Sequence, residues 1–172
     1  MICRAEHIEQ PYSGEYTEKI YDVNSPWNSG NWTWIKFEDE NDEWCGEFRG
    51  KYRGVAISKK LGIVVVLTSD YVYVLDSKTT DVIELYSQSE YIDITTSPYD
   101  EILITDGYGI GKFTNEKIAD LEFLDIPIHP DNLRFVEWNG DNLKICCYEF
   151  LKWGREIEMY WDCVAMEWSD IL

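Results

Sequence analysis

The chain has 172 residues, of which 33 are acidic and 15 basic, and its formal net charge at pH 7 is −18. Small soluble domains usually carry a net charge of roughly 2 to 8 in magnitude. So negative a field repels nucleic acids and anionic membranes and attracts basic partners. Hydrophobic residues make up 45% and aromatic residues 15% of the chain, which predicts a folded protein and not a disordered acidic tail.

The N-terminal sequence MICRAEHIEQPY lacks the apolar segment of a secretion signal, and no apolar run reaches the ~18 residues of a membrane-spanning helix. We therefore expect a cytoplasmic protein. The chain contains five cysteines without a CxxC spacing, and this odd count is typical of reduced thiols: Cys3, Cys45, Cys146, Cys147 and Cys163.

The first 26 residues end in Asn24-Ser25-Pro26 and have weak periodicity, which predicts an N-terminal arm or a short edge element. Residues 27–172 are predicted to form a single all-β domain. Its first strand is indicated by Trp32, Trp34 with Ile35, and Phe37, which alternate with polar residues.

Short runs rich in β-branched and aromatic residues then follow in three sets, over residues 55–86, 91–123 and 133–168. Two triplets recur at spacings of 37 and 40 residues: Val66, Leu103 and Leu143, and Tyr71, Tyr108 and Tyr148. Repeats of ~40 residues are typical of propeller blades. We therefore predict antiparallel four-stranded meanders in a propeller-like arrangement, with a β-sandwich as the alternative, and at most a short helix over residues 116–121.

The residues that could carry catalysis are few. His7 lies in the predicted arm and His129 lies between Pro127 and Pro130, so each is interpreted as a surface or loop histidine. The glycine-rich segment 107–112 is interpreted as a hairpin, because it lacks the order and the following helix of a phosphate loop. With 33 acidic residues, a pair of carboxylates suited to hydrolysis carries little information. We expect no enzyme activity and no cofactor, and keep a two-carboxylate hydrolase as a third hypothesis.

The segment FEDENDEWCGEFRG, residues 37–50, is the strongest local feature of the sequence. Asp39, Asn41 and Glu43 have the alternate spacing of a calcium loop, but Trp44 stands where that loop needs glycine and Gly50 where it needs glutamate. No metal site is therefore expected.

A run of charge is often just a solvated loop. Here the total charge is already extreme and aromatic residues flank the run, so carboxylates could steer a basic partner while a tryptophan anchors it. The predicted partner-binding residues are Glu38, Asp39, Glu40, Asp42, Glu43 and Trp44.

Two stretches carry a resemblance to a known group of proteins. WNSGNWTWIKFEDENDEWCGEFRG (residues 27–50) and VAISKKLGIVVVLTSDYVYVLD (residues 55–76) resemble the small acidic immunity proteins of bacterial polymorphic toxins, including contact-dependent growth inhibition systems. The shared feature is an aromatic and acidic texture, so the resemblance implies a role and transfers no site residue. It implies that the chain binds and neutralises a cognate basic toxin domain, such as a nuclease, in the cytoplasm.

The alternative hypothesis is a carbohydrate- or small-ligand-binding β module, because exposed tryptophans on β-rich chains often stack on sugars. The charge of −18 is a feature that sugars do not require.

Overall fold

The computed structural model describes residues 1–87 and 90–169, apart from the side chain of Trp153. Within these residues the chain forms sixteen strands and a single three-residue 3-10 turn, Ile118–Asp120. The strands form four sheets of four strands each. The predicted all-β fold is confirmed, and the short helix predicted over residues 116–121 is reduced to this one turn.

The first sheet uses both N-terminal segments and the hairpin that follows them. Its strands are β1 (Arg4–Ile8), β2 (Thr17–Tyr21), β3 (Trp32–Glu38) and β4 (Glu43–Arg49), in the order β1-β3-β4-β2. The β2 strand runs parallel to β4, whereas the other pairs are antiparallel. The predicted antiparallel meander therefore does not describe this sheet.

The other three sheets are antiparallel meanders, as predicted. The second sheet contains β5 (Tyr52–Ser58), β6 (Ile63–Thr68), β7 (Tyr71–Asp76) and β8 (Val82–Ser87). The third contains β9 (Asp93–Thr96), β10 (Ile102–Thr105), β11 (Ile110–Lys112) and β12 (Glu122–Phe123). The fourth contains β13 (Pro130–Asn139), β14 (Asn142–Glu149), β15 (Lys152–Asp162) and β16 (Glu167–Ser169).

The chain divides into two units, Met1–Ser89 and Glu90–Leu172. In the first unit, residues of the first two sheets share one buried cluster: Ile2, Tyr21, Ile35, Phe37, Phe48, Val64, Val66, Tyr71, Tyr73 and Leu75. In the second unit, the third and fourth sheets share another: Leu103, Ile110, Leu133, Leu143, Ile145, Cys147, Ile157, Met159 and Trp161. Each unit therefore has its own core.

The predicted single domain over residues 27–172 is divided between these two units, and residues 1–26, predicted as an arm or a short edge element, belong to the first unit. Ile2 and Tyr21 are buried in the first core, and β1 and β2 are the two edge strands of the first sheet. The edge-element alternative therefore agrees with the structure. RAEHI and TEKIY are short and rich in charged residues, as edge strands often are, so they contain few apolar positions that could show a strand pattern.

The predicted repeat is partly reproduced. Val66, Leu103 and Leu143 all lie on the second strand of their sheets. Tyr71 begins a third strand and Tyr108 precedes one, but Tyr148 lies near the end of β14. The arrangement of all four sheets, as a propeller or as a β-sandwich, stays a prediction.

The hairpin predicted at Asn139-Gly140 is present, with its turn one residue later. Asn139 pairs with Asn142, so Gly140 and Asp141 are the two loop residues. Gly140 has a φ of +58°, and Asp141 is not among the residues with positive φ. A positive φ at the first loop position alone is typical of a type II′ turn and not of the expected type I′.

Gly46 lies where two aromatic rings leave no room for a side chain. A Cβ at this position would lie 2.6 Å from Phe48 Cε2 and 2.9 Å from Phe37 Cε2, and both rings are fully buried. We expect Gly46→Ala to lower the free energy of unfolding by about 1–3 kcal/mol, because the packed rings cannot move aside. Urea denaturation measures this change. The matched control is Gly30→Ala, whose Cβ would have no heavy atom within 4 Å; an equal loss in both variants would contradict the packing argument.

The cysteines differ in accessibility. Cys3 is exposed, whereas Cys45 and Cys147 are buried, and burial raises the pKa of each of these two thiols to about 11. Because the thiolate is the reactive form, we expect iodoacetamide near neutral pH to label Cys3 and to spare Cys45 and Cys147 until the protein is denatured. Mass spectrometry before and after denaturation, without reductant, measures this. A disulfide at Cys146 or Cys163 would contradict the expectation of reduced thiols.

Candidate functional site

All six predicted partner-binding residues lie in one hairpin, Glu38 to Trp44, which we call the acidic hairpin. Glu38 is the last residue of β3 and pairs with Glu43, the first residue of β4, and the four residues between them form the loop. Both strands are central in the first sheet. The hairpin is therefore held on both sides by neighbouring strands.

Asp39 closes the loop. Its Oδ1 accepts hydrogen bonds from the backbone N–H groups of Asn41 and Asp42, at 2.8 and 2.9 Å, and its own N–H donates to the Asp42 carbonyl at 2.9 Å. The bonds from Asn41 and Asp42 lower the pKa of the Asp39 carboxyl. Asp39 therefore stabilises the turn, as aspartates often do at loop starts.

Glu38 and Glu43 form the base of the hairpin, where like charges lie opposite each other across the strands. Lys36 Nζ lies 3.3 Å from Glu38 Oε1 and 2.6 Å from Glu43 Oε2. Arg4 also approaches Glu38, at 3.6 Å. The bond to Glu43 is the largest cause that raises the pKa of Lys36. These cations compensate a repulsion that would otherwise destabilise the strand pair.

Glu40 and Asp42 form the tip. Both side chains are exposed, and within residues 1–87 and 90–169 neither forms a salt bridge. A depression of about 370 Å³ is lined by residues 38–43. The other three predicted carboxylates form ion pairs or accept backbone hydrogen bonds within the chain. Glu40 and Asp42 therefore carry the negative charge that remains for a partner.

Trp44 packs on the core of the first unit and is only partly exposed. Its ring lies 4.5 Å from that of Phe37 and 6.4 Å from that of Tyr21, measured between centroids. Trp44 is among the partly buried residues that pack against the first core. It therefore stabilises the base of the acidic hairpin, and a role as a partner anchor stays a prediction.

The other candidate centres are the two histidines and the glycine-rich segment. His7 is exposed and stacks on Tyr52 with centroids 4.1 Å apart, and His129 is exposed. The glycine-rich segment forms the turn between β10 and β11, as predicted, with Asp106 Oδ1 accepting hydrogen bonds from the N–H groups of Tyr108 and Gly109. In the described part of the chain, no group of three or more His, Cys, Asp or Glu is placed to hold a metal ion. Nor does any helix there have the length and apolar character needed to cross a membrane.

Sequence reasoning missed a pocket in the first unit. It has a volume of about 350 Å³ and is lined by Ser25, Trp27, Ser69, Asp70, Tyr71 and Ser87. Trp27 is 74% exposed, although tryptophan is usually highly buried. The sequence does contain a sign of this pocket: Trp27 lies in the polar segment NSPWNSG, outside any alternating strand pattern that would predict its burial.

A shallow groove in the second unit combines aromatic and acidic side chains. It has a volume of about 550 Å³, and its lining includes Phe123, Met166 and Trp168 together with Glu122, Asp125 and Glu167. The Trp168 Nε1–H donates to the Asp125 carbonyl at 2.8 Å. This groove repeats, on another unit, the combination of rings and carboxylates that singled out the acidic hairpin.

No protein-family model matches the sequence, and a search of curated proteins found no match either.

Removing the Trp44 ring tests its structural role. We expect Trp44→Ala to lower the free energy of unfolding by about 2 kcal/mol, less than the ~3–5 kcal/mol typical of a fully buried aromatic residue, because the ring is only partly buried. Thermal denaturation measures the loss. The matched control is Trp27→Ala, which removes an exposed indole and should leave the melting temperature unchanged. A melting temperature that Trp44→Ala does not lower would refute the packing role.

Proposed function

We propose that this protein is a non-enzymatic acidic inhibitor that binds and neutralises a cognate basic toxin domain, a nuclease, in the cytoplasm. The observation that carries the proposal is the tip of the acidic hairpin. There, Glu40 and Asp42 present uncompensated charge on a loop that Asp39 closes and that Lys36 and Trp44 support from below.

The negative tip attracts a basic protein before the two molecules touch, so it affects the rate of association. A charge patch on a chain of net charge −18 steers a basic protein and raises its association rate constant. Carboxylates that lie closer together than the Debye length, about 8 Å at physiological salt, act together on an approaching cation. Because the loop is closed by its own hydrogen bonds, its backbone loses little freedom on binding.

A nuclease fits this surface because its substrate cleft is basic. A cleft that holds phosphates presents lysines and arginines, and the carboxylates of Glu40 and Asp42 offer charged acceptors to the same cations. Occupying the cleft blocks the substrate without any chemistry by the inhibitor. This agrees with the chain's net charge, which repels nucleic acid itself.

A carbohydrate- or small-ligand-binding module is the second candidate. The observation that favours it is the Trp27 pocket, where an exposed indole stands beside a carboxylate and serine hydroxyls. Pockets of about 300–1,000 Å³ are typical of small-ligand sites.

Neutralising the tip tests the leading proposal. We expect the double variant Glu40→Gln/Asp42→Asn to slow association with the toxin domain and to flatten the salt dependence of the association rate constant, with little effect on dissociation, because exposed rim charges act mainly on the encounter. We expect the partner to be the basic C-terminal domain of a large secreted protein encoded immediately upstream of this gene. Stopped-flow or surface-based kinetics at several salt concentrations give both rate constants.

The matched control neutralises two exposed carboxylates of the second unit, with Glu137→Gln/Glu156→Gln. It changes the net charge by the same amount and leaves the tip intact, so it should alter the association rate constant less than the tip variant does. Equal effects in both variants would place the partner surface elsewhere and return the acidic hairpin to the interpretation of a solvated loop. No binding by the unmodified protein would refute the proposed function.

A further inference from the structure

The Trp27 pocket is separate from the acidic hairpin. Its residue Trp27 precedes β3, whereas the acidic hairpin follows the other end of the same strand. Seven residues at about 3.3 Å per residue place the two ends of β3 roughly 20 Å apart. The two features can therefore contact one protein partner at different points, within the span of a standard interface.

Asp70 supplies the charge of the pocket, and it keeps acceptor capacity. Its Oδ1 accepts a hydrogen bond from Ser69 Oγ and its Oδ2 accepts one from the Ser29 backbone N–H, each at 2.7 Å. Burial acts to raise the pKa of Asp70, but the hydrogen bonds from Ser69 and Ser29 outweigh it, and the net pKa lies below its ordinary value. A carboxylate has about four lone-pair positions, so positions remain on this charged group for a guest.

Trp27 supplies a π surface. Its side chain is 74% exposed, while its backbone N–H is held by Ser25 Oγ at 3.3 Å. The face of an indole attracts cations, and arginine guanidinium groups use it more often than lysine ammonium groups do. A tryptophan and a carboxylate that line the same pocket therefore offer a guanidinium both of the contacts it favours.

The same unit already contains a filled example of this arrangement. The Arg49 guanidinium carbon lies 3.7 Å from the centroid of the Trp32 ring, and its Nε and Nη2 donate to the two carboxylate oxygens of Asp22 at 3.0 and 2.8 Å. Arg49 is the cation whose charge acts on Asp70. Asp22 accepts from two of the five Arg49 donors, and within the described residues no hydrogen bond or salt bridge joins Arg49 to Asp70, so Arg49 does not occupy the acceptors of Asp70.

We propose that the pocket of Trp27 and Asp70 binds the guanidinium group of an arginine side chain presented by the basic protein partner. This inference rests on the proposed function for the identity of the partner, but not for the chemistry of the pocket. Among the residues that the structure describes, no lysine, arginine, asparagine or glutamine lines the pocket. The side-chain donors among the lining residues are the serine hydroxyls, the Trp27 indole N–H and the Tyr71 hydroxyl, which already donates to Asn28 Oδ1. A guanidinium needs only acceptors and a π face, which Asp70 and Trp27 supply.

The chemistry of the pocket is tested without any partner, by NMR titration of the whole chain with N-acetylarginine methylamide. Two reporters exist: the Trp27 indole N–H and the Ser29 amide, which donates to Asp70. We expect saturable shifts of both signals. The neutral isostere N-acetylcitrulline methylamide should give neither, because it lacks the charge and one of the paired donors.

Three variants test whether the shifts are specific to the pocket. Asp70→Asn should weaken arginine binding by at least about tenfold, because its amide nitrogen would face the guanidinium donors. Trp27→Ala removes only an exposed ring and should also weaken binding. Glu40→Gln, at the tip of the acidic hairpin, should leave the shifts unchanged. Citrulline or a methyl glycoside that binds as well as arginine would overturn the inference, and so would the absence of saturable shifts.

Whether the toxin domain presents this arginine is tested with the basic C-terminal toxin domain itself. We expect Asp70→Asn and Trp27→Ala each to raise the dissociation rate constant by about tenfold or more, as for an anchored interface residue. If the complex forms and neither variant changes its dissociation, the partner's arginine does not enter this pocket, and the proposed function still stands. If the unmodified protein forms no complex, the proposed function fails, while the arginine titration still decides the chemistry of the pocket.

Discussion

Repulsion among negative charges is the main constraint on this fold, because the chain has 33 acidic and only 15 basic residues. The two buried cores supply the favourable free energy, and the basic residues are placed where carboxylates would otherwise repel each other. Lys36 lies between Glu38 and Glu43, and Lys112 lies between Glu101 and Glu122. Both lysines act within a sheet, so charge compensation and strand pairing occur at the same positions.

This placement divides carboxylates of similar appearance into different roles. In the acidic hairpin, Glu38 and Glu43 are ion-paired, Asp39 is bonded to backbone N–H groups, and Glu40 with Asp42 face solvent. The surface that a partner meets is therefore smaller than the acidic run in the sequence. A similar division separates the tryptophans: Trp32 stacks under Arg49, Trp44 packs on the core, and Trp27 is exposed. Counting acids and aromatic residues overestimates the binding surface, because most of them serve the fold.

The sequence predicted the parts of the fold that depend on local pattern. The alternation in β3 and the apolar runs of β6 and β7 specify strands by themselves, since side chains on these strands are buried on one or both faces. The parallel pairing of β2 with β4 was not predictable, because it depends on contacts between segments far apart in sequence and TEKIY has only a weak pattern of its own. The same applies to the pocket: Trp27 and Asp70 are 43 positions apart, and only the folded first unit brings them to one wall. The sequence showed where the acidic residues of the hairpin lie, but it did not predict that Lys36 and Arg4 form ion pairs with Glu38 and Glu43.

The order of strands in the first sheet sets the order in which this sheet can form. Because β1 and β2 are edge strands that pair only with β3 and β4, they have no hydrogen-bonding partners while the first 31 residues are being synthesised. The hairpin of β3 and β4 is local and closes quickly, whereas the two N-terminal strands must wait and then join it over long loops. The acidic turn is thus the first part of its sheet to be built, and the N-terminal segments complete the sheet around it. A chain that has reached residue 49 contains all four strands of this sheet, but the apolar residues of β6 and β7 that complete its core follow only later.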